Sequence, residues 1–281
     1  MREKERCLII NADDFGMCHT TNQAIASLLN QRWITSASLM MNCAWTIEAV
    51  EILRQHPEWD VGIHLTHTSQ WKHYKWGPLS KDSHTLVDEN GYFHSITPTV
   101  VKETDPDQLY REAVAQMEMA LKMGIDPTNI DNHMGSMGHR MDMLLELCET
   151  YRLPLRYPKR TLPLFTDAAD HERVVKEAEK RGVVLPDEVK MLPFYPDTGV
   201  EPVYSDTKEA AKQIIRDLKP GVTELVLHPS LDTDELKAIT PTWPVRRFEF
   251  DVFLDEEIKA LLQEQEIKLI YWRDLKELQR S

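Results

Sequence analysis

Two adjacent carboxylates, Asp13 and Asp14, close the apolar run CLIINADDFG at residues 7–16, and three later segments end in histidine or aspartate. These are His64 in DVGIHLTH, Asp131 and His133 in DNH, and His228 in TELVLHP. One carboxylate and two imidazoles make a facial set that holds a divalent ion while leaving positions open for water and substrate. Such an ion lowers the pKa of its water and polarises a carbonyl, bringing hydrolysis of an amide or ester within reach near neutral pH. A free carboxylate beside that water would act as general base, and an imidazole would protonate the departing amine, a part that fits His228. Side chains alternate along a strand, so if the extended geometry persists Asp13 and Asp14 face opposite sides, one toward a metal and the other toward a water. Each residue alone has a plainer reading: loop carboxylates or a helix N-cap, a satisfied core histidine, a turn residue, a strand terminator before Pro229. The coincidence of these groups at the ends of several strands is what points to a metal site.

The elements that would position them alternate. Residues 7–10 read as a buried strand with a turn at 11–16, then a helix over about 19–29, a strand over 34–42, a helix over about 46–54 and a strand over 60–67. This βαβαβ rhythm predicts an α/β fold, a parallel sheet with helices outside, whose catalytic groups gather at the strands' C-terminal ends. Residues 68–104 break the rhythm, carrying aromatics among Pro, Gly and Ser, and read as a substrate loop. Asp105, Pro106 and Gln108 then signal an N-cap, a proline in the first turn and a capping box for a helix whose face is Ala113, Met117, Ala120 and Leu121, stopped at Gly124. A strand is expected over 128–131, a helix over 141–151, one helix (168–181) within an irregular 154–204 that includes the proline-rich LPFYPDTG, and a helix opened by Asp206 and Glu209 with face Ala210, Ile214 and Leu218, closed by Pro220-Gly221. After the strand at 223–229, TPTWPVRRFEFD leads into a helix over 255–265, a strand IKLIYW and a short final helix.

With 281 residues and no repeat or linker, residues 1–281 read as one catalytic domain. A net charge of −13 without a Lys/Arg cluster excludes nucleic acid and anionic membranes as partners and favours a small neutral or cationic molecule. No apolar run is long enough to span a membrane, and the opening MREKERCL has no apolar signal region, so a cytoplasmic protein is expected. Cys7, Cys18, Cys43 and Cys148 lack metal or disulfide spacing and read as buried free thiols. The oligomeric state, a homodimer among the options, is not legible.

NADDFG at 11–16, GIHL at 62–65, DNH at 131–133 and HP at 228–229 resemble the YdjC-like carbohydrate deacetylases, also called chitooligosaccharide deacetylases. The tail at 243–274 is similar too, with Arg246 and Glu249 in an R-x-x-E pattern ahead of IKLIYWRDL. The resemblance covers essentially the whole chain. It implies a distorted (β/α) barrel of the polysaccharide-deacetylase-like type, one divalent metal (Mg²⁺, with Zn²⁺ as alternative) and removal of acetyl from a small N-acetylated sugar or oligosaccharide. Carried over, Asp14, His64 and His133 bind metal and Asp13 is the base. Arg246, Arg247 and Glu249 form either a structural ion pair or a clamp that orients Asp13, and the resemblance puts at least one of them near the site. Several relatives carry a His-rich run after DxH where this chain has Met134, Gly135, Ser136 and Met137, so the role of that run is in question here; His139 is close by.

Sugar rings offer apolar faces, so Trp71, Tyr74 and Trp76 are candidates for a substrate platform, or else they pin the loop to the body. His67, His73, His84 and His94 read as surface or hydrogen-bonding residues, and Met117, Met119, Met123, Met134, Met137, Met141 and Met143 as gap-filling core. The competing functions are hydrolysis of another amide, an ester or a phosphoester, the last disfavoured by the lack of a basic cradle, and a non-catalytic sugar-binding protein on the same scaffold.

Overall fold

The computed structural model describes residues 5–160, 166–194 and 203–281; residues 195–199 of the proline-rich stretch lie outside them. The chain runs β1 (Arg6–Phe15), α1 (His19–Asn30), β2 (Ser36–Leu39), α2 (Thr46–Gln55), β3 (Val61–Leu65), α3 (Thr97–Glu103), α4 (Pro106–Lys122) and β4 (Ile130–Asn132). It continues with α5 (Met141–Tyr151), α6 (Ala168–Lys180), β5 (Glu188–Met191), α7 (Tyr204–Arg216), β6 (Gly221–Leu227), α8 (Asp234–Ile239), α9 (Trp243–Val252), α10 (Glu256–Glu264), β7 (Lys268–Leu269) and α11 (Trp272–Arg280).

All strand pairs are parallel, in the order β4-β3-β2-β1-β6-β5, with β7 beside the start of β1. β1 is central and fully buried from Cys7 onward, because Leu8, Ile9 and Ile10 are covered on both faces, as a parallel strand requires. The two outer strands are joined by an extended segment, residues 153–160. The Ile130 amide donates to Pro154 O and the Arg156 amide to Ile130 O, while the amides of Leu155, Lys159 and Arg160 donate to the carbonyls of Val184, Pro186 and Asp187. This irregular seam closes the sheet into the distorted barrel that the motifs imply.

Several local expectations are corrected. α4 has its Asp105 cap, whose side chain accepts from the Gln108 amide at 3.0 Å, but Gln108 spends its own carbonyl on Thr85, and Leu121 is 41% exposed. α7 begins at Tyr204 with no side-chain cap, and its buried residues are Thr207, Ala211 and Ile215 where Ala210 and Ile214 were expected, while Leu218 just past its end is buried as expected. Residues 243–252 form α9 instead of a lead-in, since Pro244 fits the first turn, where its missing N–H costs nothing. IKLIYW contributes only Lys268 and Leu269 to the sheet, and Trp272 opens α11. β5, α3 and α8 were not expected. Among the seven methionines read as core, Met134 is 56% exposed.

Gly62, in GIHL, is a place where a side chain cannot fit. A Cβ there would lie 2.0 Å from Asn129 Oδ1, and Asn129 Nδ2 donates to Asp131 Oδ2 at 3.2 Å. Gly62→Ala is therefore expected to cost about 1–3 kcal/mol by forcing Asn129 aside. Chemical denaturation checks it, and a variant as stable as wild type would refute the close-packing account.

Among the described residues, no helix is long and apolar enough to cross a membrane. The four cysteines are free and buried, as expected.

Candidate active site

The opening carboxylates do not alternate as a regular strand would make them. Between Ala12 and Phe15 the pairing with β2 slips, and Asp14 takes a left-handed φ of 69°. A bulge at a strand end re-aims side chains, and aspartate is among the few residues that tolerate this backbone region. Both carboxylates consequently approach the same imidazole. His64 Nε2 lies 3.8 Å from Asp13 Oδ2 and 3.7 Å from Asp14 Oδ1. The turn is held by Gly16, whose amide donates to Asn22 Oδ1 at 2.7 Å.

β3, β4 and β6 deliver the other groups at their C-terminal ends. His133 is the first residue past β4 and His228 the first past β6. His133 Nδ1 stands 3.2 Å from His64 Nε2 and 3.4 Å from Asp14 Oδ1. Each ring has its far nitrogen engaged: His64 Nδ1 donates to Asp131, and His133 Nε2 donates to Gln70 Oε1 at 3.0 Å. Imidazoles tied in this way turn their second nitrogens to a common point, which is how ligating histidines are oriented. Asp14 Oδ1 is buried without a hydrogen bond, while Oδ2 accepts from Arg246 Nη1 at 2.7 Å. Two imidazole nitrogens and one orphaned carboxylate oxygen, all within 4.8 Å of one another, have the donor set and spacing to hold a divalent cation once His64 gives up its Nε2 proton. Asp13, His64 and Asp131 also cluster, but Arg156 already occupies that pocket.

Arg156 is the largest omission from the sequence reading. It donates to both oxygens of Asp13 at 2.7 and 2.8 Å, and lies 3.0 Å from Asp131 and 2.9 Å from Glu224. Asn11 adds a bond to Asp13 Oδ1 at 2.8 Å, and Trp272 Nε1 donates to Glu224 at 3.1 Å. Asp13 is thus clamped by Arg156, whereas Arg246, for which a clamp on Asp13 was one of two readings, pairs with Asp14, and Arg247 turns away to Asp251. The buried Leu153, Leu155 and Tyr157 alternate around Arg156, a period-2 signal that could have revealed the segment.

Titration follows these contacts. Burial pushes Asp13 upward, but Arg156 and His64 outweigh it and leave the carboxyl below its usual range. Asp14 is held well below it, mainly by Arg246 against burial. Burial alone would lower His64, yet Asp13 and Asp131 raise it to about 9, so cation binding there must release a proton. Burial lowers His228 to about 4 and raises Glu249 to about 8. His228 Nε2 is 3.9 Å from Asp13 Oδ2, and its Nδ1 is 3.8 Å from Glu249 Oε2, while its backbone amide donates to that same carboxyl.

The aromatic loop is packed in rather than laid open. Trp76 is buried, its Nε1 bonded to Thr68 O at 2.8 Å and its ring edge-on to His133 at 6.3 Å. Tyr74 donates to Met17 O, and Trp71 lies 5.6 Å from the Arg246 guanidinium, which also faces Phe194. Phe194 meets His228 at 5.2 Å. Glu112 and Gln116 on α4 hold the loop's base through Leu79, Ser80 and Thr66. Of the loop histidines, His73 and His84 are exposed and His94 bonds Thr85 O, but His67 is buried with neither nitrogen bonded and is lowered to about 3 by burial. Among the described residues, no hydrogen bond or ion pair joins exposed His139 to the cation cluster.

Residues 7–264 match the family described as YdjC-like protein. The chain is 30% identical over 273 residues to a carbohydrate deacetylase of Thermoanaerobacter pseudethanolicus, covering 96% of this chain and 99% of that one. It is 30% identical over 278 residues to a carbohydrate deacetylase of Geobacillus stearothermophilus, covering 97% and 99%. A crystal structure from Enterococcus faecalis V583, described as a proposed cellobiose-phosphate cleavage protein, superposes with a TM-score of 0.79 at 26% identity over 96% of this chain and 99% of that chain. With its motifs on the strand ends and the match running through nearly its full length, the chain belongs to the YdjC-like family.

Proposed function

We propose that the protein is a metal-dependent hydrolase that removes the acetyl group from a small N-acetylated sugar or oligosaccharide. The observation that carries this reading is the convergence of Asp14 Oδ1, His64 Nε2 and His133 Nδ1, one buried oxygen without a partner and two nitrogens freed by hydrogen bonds on the far side of each ring. The relatives named carbohydrate deacetylase support the substrate class.

Asp14, His64 and His133 would hold the ion. Two imidazole donors favour Zn²⁺ over Mg²⁺, which prefers oxygen ligands. A divalent ion at this point supplies an activated water and a polarised amide carbonyl. Asp13, fixed by Arg156 and Asn11, takes the proton from the attacking water. His228, kept neutral by burial and with Nε2 3.9 Å from the Asp13 carboxylate, takes that proton up as imidazolium and gives it to the departing amine nitrogen, returning to neutral imidazole. Glu249 holds the His228 backbone amide. Arg246 holds the second oxygen of Asp14, and Trp71 and Phe194 flank its guanidinium as the apolar walls against which a sugar ring would lie.

Purified protein loaded with Zn²⁺ is expected to release acetate from N-acetylglucosamine oligomers, to stop when the metal is chelated, and to recover when metal is returned. If the metal-loaded protein releases no acetate from a broad panel of acetylated sugars, the substrate class is wrong.

A further inference from the structure

The two imidazoles that face each other across the cation cluster are oriented from different parts of the chain. For His64 the acceptor is Asp131, a neighbour on the adjacent strand β4. For His133 it is Gln70, sixty-three residues away in the aromatic loop, with Oε1 at 3.0 Å from Nε2. An amide can present oxygen or nitrogen to a ring. Only the oxygen requires the imidazole proton on Nε2 and leaves Nδ1 bare, 3.4 Å from Asp14 Oδ1.

Gln70 is not placed there by chance of a floppy loop. On either side of it, the Trp76 amide donates to Ser69 Oγ at 3.1 Å, Trp76 Nε1 to Thr68 O at 2.8 Å and Lys75 Nζ to Ser69 O at 2.6 Å. The Ser69 amide donates to His94 O at 3.0 Å, and Gln116 binds both the amide and the carbonyl of Thr66. The turn is thereby fastened to itself, to the far end of the loop and to α4 before Gln70 reaches His133.

We infer that Gln70 is a positioning residue of the metal centre: it selects the His133 tautomer that leaves Nδ1 free for the cation, making the 68–76 turn part of the support of the ligand set. The inference rests on the metal reading given under Proposed function. Its consequence is that metal affinity depends on a loop residue that contributes no ligand atom.

The test is calorimetric titration of metal-free wild type, Gln70→Leu and Gln70→Glu with Zn²⁺, paired with thermal unfolding of each metal-free protein. Leucine removes the acceptor, and affinity is expected to fall about 10- to 100-fold. Glutamate restores an oxygen acceptor, and affinity is expected to stay within about 3-fold of wild type. Equal Zn²⁺ affinity in wild type and Gln70→Leu overturns the inference while leaving the metal reading intact. Equal loss in both variants also overturns it, because packing and not the acceptor would then set affinity. A wild-type protein that takes up no Zn²⁺ overturns the metal reading, and this inference with it.

Discussion

Asp13→Asn is expected to lower acetate release about 10²- to 10⁴-fold while Zn²⁺ affinity stays near the wild-type value, because it removes a proton acceptor without touching the unpaired oxygen of Asp14. Asparagine keeps one oxygen for Arg156, and Arg156 retains Asp131 and Glu224, so the local network survives. Asp14→Asn should behave in the opposite order. It takes the charge from the cation cluster and from Arg246, and both metal uptake and turnover should fall together. Asparagine accepts the left-handed backbone at this position, so the chain should still fold. Metal content by elemental analysis beside single-turnover rates separates the two variants. If Asp13→Asn loses the metal and Asp14→Asn keeps it, the assignment of ligand and base is reversed.

The second large effect is expected at Arg156. This buried guanidinium serves Asp13, Asp131 and Glu224 at once, and Arg156→Met would strand three carboxyl groups in the interior. Breaking a buried network from one side costs about 3–5 kcal/mol, which for a chain of this size lowers the melting temperature by roughly 10 °C. The cost has a pH dependence of definite sign. In wild type, burial raises Asp13 but Arg156 and His64 bring it below its unfolded value. Its contribution to stability is therefore present above an unfolded pKa of about 3.9 and is lost as pH falls through the folded value. Without Arg156 the effect of burial is less opposed, and both Asp13 and Glu224, which burial already raises to about 7, hold protons to higher pH. Acid then relieves the stranded charges, so the stability gap between variant and wild type should narrow on going from pH 7 to pH 5. The acid limb of kcat/KM should move to higher pH for the same reason. Urea titrations at the two pH values measure the first, and an unchanged gap would mean that Arg156 is not holding ionised carboxylates.

Asp14, His64, His133 and His228 were legible because each stands at or just past the C-terminal end of a strand, and a parallel sheet brings those ends to one side. The roles of the adjacent aspartates were not legible from alternation, since the bulge at Asp14 cancels the period of two on which that reasoning depends. Arg156 escaped notice for a related reason. Its segment contains Pro154 and Pro158, which mask the short alternation of Leu153, Leu155 and Tyr157, and it acquires its extended form from the strands it bridges. Arg246 was identified, but a guanidinium 232 positions from Asp14 in the chain could not be assigned to either adjacent aspartate before their carboxylates were placed. The aromatic loop looked unstructured because its order comes from Gln108, Glu112 and Gln116, polar residues on the buried side of α4 whose partners are backbone groups of the loop. Hydrophobic periodicity does not register such anchors.

The seam at residues 153–160 ties catalysis to the completion of folding. Arg156 reaches Asp13 across 143 positions of sequence, and it does so from the segment that joins β4 to β5. Contacts of such separation are entropically expensive to close and come late. A chain with its strands β1 to β4 paired but its barrel unsealed would already bring Asp14, His64 and His133 together, yet it would lack the Arg156 guanidinium beside Asp13. Such an intermediate could take up metal and remain silent as a hydrolase, so activity is expected to lag metal uptake during refolding, because the seam at residues 153–160 completes the surroundings of Asp13.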